Sequence, residues 1–143
     1  MWEGSAGTCM NGNKMRLRFD TVEARPEGDN KVRAEVAFTF GPRTIVTSAI
    51  EGDQWPGALR AAATATLQAV QEASSQKFVC VVEDLDRVNA LGKQLIAVLV
   101  NVEFEDRQFQ VFGSCQIDDD EVAAAVRATL NATNRIVDLA TRA

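Results

Sequence analysis

The sequence predicts an α+β fold built by tandem duplication of a β-β-β-α unit, and three observations predict it. Apolar and charged residues alternate with a period of two through 15–50, and 78–117 reads as a second set of strands in which Phe78–Val82 and Leu95–Val100 are apolar throughout. Each of these regions runs into an alanine-rich stretch whose apolar residues recur every 3.6 positions. The order of elements then repeats along with individual residues, which is the signature of internal duplication.

The alignment of the two copies sets Val22 on Val88, Val36 on Val102, Phe38 on Phe104 and Ile45 on Val111. After a three-residue deletion, Leu59 meets Val122, Ala62 meets Ala125, and Thr66-Leu67 meets Thr129-Leu130. The deletion lies between a strand and a helix, where a loop absorbs a change of length cheaply. The repeats span 15–76 and 78–141 of a single domain, 15–143, and residues 1–14 read as a flexible tail.

In the first copy Met15, Leu17, Phe19 and Thr21 alternate with Arg16, Arg18 and Asp20, a half-buried strand. Arg25 to Asn30 carries turn chemistry, since Gly28 and Asn30 tolerate positive φ. Val32 to Phe40 alternates again, and Gly41-Pro42-Arg43 turns the chain into a third strand, Thr44 to Ile50. The second copy gives strands over Phe78–Arg87, Lys93–Phe104 and Gln108–Ile117. Strands joined by such short connections must be antiparallel. The first helix starts near Asp53, an expected N-cap, with Pro56 in its first turn. The second starts at Asp118-Asp119-Asp120-Glu121, which reads as a cap favoured by the helix dipole and not as a metal cluster.

One asymmetry between the copies predicts a partner. The outward face of the first copy's middle strand is charged (Lys31, Arg33, Glu35), whereas the matching positions of the second copy hold Ala97, Leu99 and Asn101, preceded by Leu95. With Val98, Val100 and Val102 on its other side, this strand is apolar on both faces, the pattern of a strand that is covered twice. The covering could come from the N-terminal segment, which includes Trp2, or from a second subunit. A homodimer is the commonest assembly of soluble chains and makes Leu95, Ala97 and Leu99 its expected interface.

Composition narrows the function. The 143 residues include 15 Lys and Arg, 20 Asp and Glu and no histidine, for a net charge of −5. Without imidazole there is no Ser-His or Cys-His nucleophile pair and no histidine-based zinc site, so no catalytic residue and no cofactor is expected. Ser48 and Ser114 stand near the ends of the third strands with no base beside them, and Glu83, Asp84 and Asp86 read as surface carboxylates. The acidic balance argues against nucleic acid, and the longest apolar run, Leu95 to Val100, is too short to span a bilayer. Cys9, Cys80 and Cys115, odd in number and far apart, read as reduced thiols of a cytoplasmic protein, and Met1 to Lys14 lacks the pattern of a secretory signal.

Asp120, Ala124 and the run Arg127-Ala128-Thr129-Leu130-Asn131-Ala132-Thr133-Asn134-Arg135 resemble the last helix of a known module. That module is the C-terminal allosteric and dimerisation domain of α-isopropylmalate synthase and of relatives such as citramalate synthase. Glu51 to Leu59 is similar to the glycine-rich loop that enters its first helix, with Gly57-Ala58 where the family carries an acidic residue after the proline. The chain has room for this domain but not also for a catalytic barrel of about 250 residues. The resemblance implies a non-catalytic module that pairs subunits and binds an end-product amino acid near the dimer interface. The ligand loops it implies contain Gly52, Trp55, Pro56, Asp118 and Asp120. Backbone N–H groups at a helix start would hold a small amino or organic acid by its carboxylate, and an acidic side chain would hold an amine. Packing is the plainer role for Trp55. The alternative function is a structural homodimer that has lost its ligand.

Overall fold

In a computed structural model, which describes residues 16–142, the chain forms two antiparallel three-stranded sheets, each followed by a helix. The first unit comprises β1 (Leu17–Pro26), β2 (Lys31–Phe40), β3 (Arg43–Gly52) and α1 (Gly57–Ala73). The second comprises β4 (Val79–Ala90), β5 (Lys93–Phe104), β6 (Arg107–Gln116) and α2 (Glu121–Arg142). The middle strand of each sheet is the second in sequence. This is the α+β duplication expected; the proposed tail, 1–14, lies outside the described residues.

Turn chemistry sets the hairpins. Gly41 at φ 60° precedes Pro42 between β2 and β3, and Leu91-Gly92 and Glu105-Asp106 take positive φ throughout, as two-residue turns between twisted strands require. Counted from the shared hairpin turn, Phe40 occupies the place of Phe104, so the alignment that set Phe38 there is two residues out. The first strands are also displaced: Ala24 faces Ala34 as Leu85 faces Val98, which removes the pairing of Val22 with Val88. A strand's period of two lets any even shift match apolar with apolar, so side-chain type alone does not fix the register.

Both first strands carry a bulge, at Asp20 in β1 and at Glu83 in β4. The extra residue reverses the alternation. Leu17 and Phe19 face inward before the β1 bulge and Val22 and Ala24 after it, so Thr21 is exposed and not the inward residue expected. The hydroxyl of Thr39 donates to the bulged Asp20 carboxylate at 2.6 Å.

The helix alignment holds residue for residue. Ala61, Ala62, Ala65, Ala69 and Ala73 seat α1 in the core over the first sheet, and Ala124, Ala125, Ala128, Ala132 and Ile136 seat α2 over the second. Thr66 donates to the Ala62 carbonyl and Thr129 to the Ala125 carbonyl, so both buried hydroxyls are satisfied within their helices. The helices also reach across. Leu59, Ala63 and Leu67 of α1 join the second sheet's core, while Val126 and Leu130 of α2 join the first. The sheets do not touch each other, and the helix pair connects them.

Alanine faces bring helix and strand close, as at Gly113. A Cβ there would lie 2.2 Å from the Ala128 carbonyl oxygen and 2.5 Å from the Ala132 nitrogen. At the corresponding place on α1, the Ala65 carbonyl accepts a 2.6 Å hydrogen bond from the Thr47 hydroxyl.

Candidate interface and ligand loops

The helices cover one face of each sheet and leave the other open. On the first sheet that outer face is mixed: Val46 and Ile50 are exposed on it, while Arg33 makes two hydrogen bonds to the Glu27 carboxylate, at 3.0 and 3.1 Å, and one to the Ser48 hydroxyl. The nearby guanidinium holds the Glu27 carboxyl below its ordinary pKa. The second sheet differs as the sequence implies. Ile96, Val98, Val100 and Val102 are buried under the helices, while Leu95, Ala97 and Leu99 point the other way and are half-buried. Register puts Phe112 beside Leu99, and Phe112 is 65% exposed. Val81 and Val88 of β4 are exposed on the same face, at 58% and 39%, with the exposed Asp84 and Asp86 between them. Sequence reasoning missed Phe112, whose outward direction could have been read from its alternation with Val111 and Gly113.

At the Gln108 end of the same face lies a groove of about 510 Å³ lined by Val79, Val81, Glu83, Asn101, Glu103 and Gln110, among others. The Gln110 amide donates to Asn101 at 2.8 Å, and the Asn101 amide donates in turn to Glu83.

The loops before the helices have a different character. Asp53 is not the N-cap of α1: its N–H bonds the Asn30 carbonyl at 3.0 Å, and Pro56 occupies the cap position with no side-chain hydrogen bond. A Cβ on Gly52 would make only ordinary contact, 4.0 Å from the Asn30 carbonyl oxygen, but a Cβ on Gly57 would fall 1.7 Å from the Gly52 carbonyl oxygen. This folding of the loop onto itself explains why glycine, and no acidic residue, follows Pro56. Trp55 is 50% exposed, so the packing role fails, and the Arg87 guanidinium lies 5.1 Å from its ring centroid. Arg87 Nε also donates to Glu121 at 2.9 Å. A β4 arginine thus ties the α1 entry loop to the first turn of α2.

Asp120 caps α2: its Oδ1 accepts from the Val122 N–H at 2.9 Å and the Ala123 N–H at 3.3 Å. The capping reading of the acidic run therefore stands, and this oxygen is already committed within the fold. Asp118 is exposed. Asp120→Ala is expected to cost about 1 kcal/mol, read as a lower urea midpoint, with Asp119→Ala as the near-neutral control. Of the five ligand-loop residues, Gly52, Trp55 and Pro56 share one loop and Asp118 and Asp120 the other; the groove described above lies away from both.

Among the described residues no group of His, Cys, Asp or Glu is arranged to hold a metal ion, and no helix is long and apolar enough to cross a membrane. Burial pushes the Cys80 thiol up to about 11, and Cys115 is raised for the same first reason. Both are free thiols with the thiolate disfavoured. Comparison with protein-family models and with curated protein sequences finds no match.

Proposed function

We propose that the chain is a non-catalytic homodimerisation module of a regulatory kind, paired through the outer face of β4, β5 and β6. The observation that carries this reading is the exposed apolar surface around Leu99 and Phe112, on a sheet whose other face is already filled by helices. Such a contiguous patch rimmed by polar residues is the usual mark of a protein contact. On the first sheet the equivalent middle strand carries Lys31, Arg33 and Glu35 instead, and the Arg33 cluster with Glu27 and Ser48 interrupts the exposed Val46 and Ile50. Light scattering at micromolar concentration tests the reading: a mass of two chains or more supports it, and a monomer mass removes it.

The resemblance to the isopropylmalate synthase regulatory domain adds a ligand to this proposal. Arg87 joins the Trp55 loop to Glu121 in the first turn of α2, so a small amino or organic acid engaging that arginine would bridge both helix entrances. A thermal-shift panel of amino acids and small organic acids is expected to raise the melting temperature with at least one member, in proportion to its affinity. Arg87→Ala should abolish that rise. A flat panel favours the alternative, a structural dimer without a ligand.

A further inference from the structure

The edges of the second sheet are treated differently. Along β4 four outward backbone groups are taken up by side chains. The Cys80 N–H donates to Gln71 at 2.6 Å, and the Val82 carbonyl accepts from Arg60 at 3.5 Å. The Leu85 and Arg87 N–H groups donate to the preceding aspartates, Asp84 and Asp86, both at 2.8 Å. These bonds, and the carboxylates that make two of them, close β4 to any added strand.

The opposite edge, β6, has no such guard. Phe104 and Arg107 flank a two-residue turn, so Arg107, Phe109 and Val111 direct their backbone groups to β5, while Gln108, Gln110 and Phe112 direct theirs outward. Among the described residues no hydrogen bond uses those outward groups until Ser114, whose carbonyl accepts from Asn131 at 2.7 Å. The run from Gln108 to Gln116 carries no charge, no proline and no bulge, and residues 107–110 and 112 are all exposed. Unprotected edges of this kind pair with other strands.

We infer that β6 is a second self-association surface, at which the β6 strands of two copies pair antiparallel about a twofold axis through Gln110. The occupant follows from three features. Asn131 ends the open run at Ser114, so the usable segment is Gln108 to Phe112 and its centre is Gln110. Self-pairing about that centre sets Gln108 opposite Phe112 and Gln110 opposite Gln110, with no like charges facing. Phe112 also belongs to the apolar outer face, so the joined strands continue that surface across the axis. This surface goes beyond the face-to-face contact proposed above and stands without it.

The test uses the full chain in a Leu99→Asp background, which removes the face contact. Amide hydrogen exchange at rising protein concentration is expected to slow Gln108, Gln110 and Phe112 by about tenfold or more, in step with a doubling of mass by sedimentation. Gln110→Lys, which sets two ammonium groups against each other across the axis, should return both readouts to monomer values. Gln110→Pro removes one outward N–H without touching the bonds to β5 and should do the same. Rapid exchange of these amides at every concentration, or an unchanged mass in Gln110→Lys, overturns the inference. If Leu99→Asp leaves the parent assembly unchanged while Gln110→Lys dissociates it, the edge contact stands and the face contact falls.

Discussion

Gly113→Val lowers stability by about 3 kcal/mol or more, with a fall in melting temperature of about 10 °C. The cause is backbone against backbone. Even the first added carbon lies 2.2 Å from the Ala128 carbonyl oxygen and 2.5 Å from the Ala132 nitrogen, and neither is the tip of a flexible side chain. The helix must lift from β6, and it carries Ala125, Ala128 and Ala132 out of the core with it. Gly28→Ala is the control, since that position meets nothing within 4 Å and is strained only by its φ of +69°; it should cost about 1 kcal/mol. Thermal unfolding followed by circular dichroism separates them. Equal losses for the two variants would mean that α2 is not seated this closely on the strand.

Leu99→Asp halves the mass of the assembly in solution and weakens the face contact by about a hundredfold, as expected for a central apolar residue of an interface. Leu99 lies between Asp84 and Phe112 across the strands, so the new carboxylate adds to an existing negative charge and sits within the apolar patch. The fold itself should persist, because Leu99 is only half-buried and its neighbours Val98 and Val100 hold the helix side. Unaltered circular dichroism together with an unaltered mass would place the interface elsewhere.

Much of this architecture was legible in the residues. Period-two alternation located the strands of the first copy and continuous apolar runs helped to locate those of the second, Gly41-Pro42 marked one of the turns, and the alanine pattern matched the helices position by position. The register of the copies was not legible, because alternation is blind to a shift of two. The bulges at Asp20 and Glu83 were not legible either, since nothing local distinguishes an unpaired residue from a paired one. The outer apolar face could be read at Leu95, Ala97 and Leu99 from a charge pattern that the first copy keeps and the second loses. The loop residues could not be joined from sequence. Arg87, which connects Trp55 to Glu121, lies in a strand far from both and shows no motif.

The exchange of Leu59, Ala63 and Leu67 for Val126 and Leu130 between the two cores has a consequence for how the molecule melts. Neither half owns a complete interior, so each borrows part of its lining from the other's helix. Heating therefore dissolves both in one cooperative event, despite sheets that never meet. A lone half would behave as an orphan until it met a twin, the state from which such a fused pair would have descended.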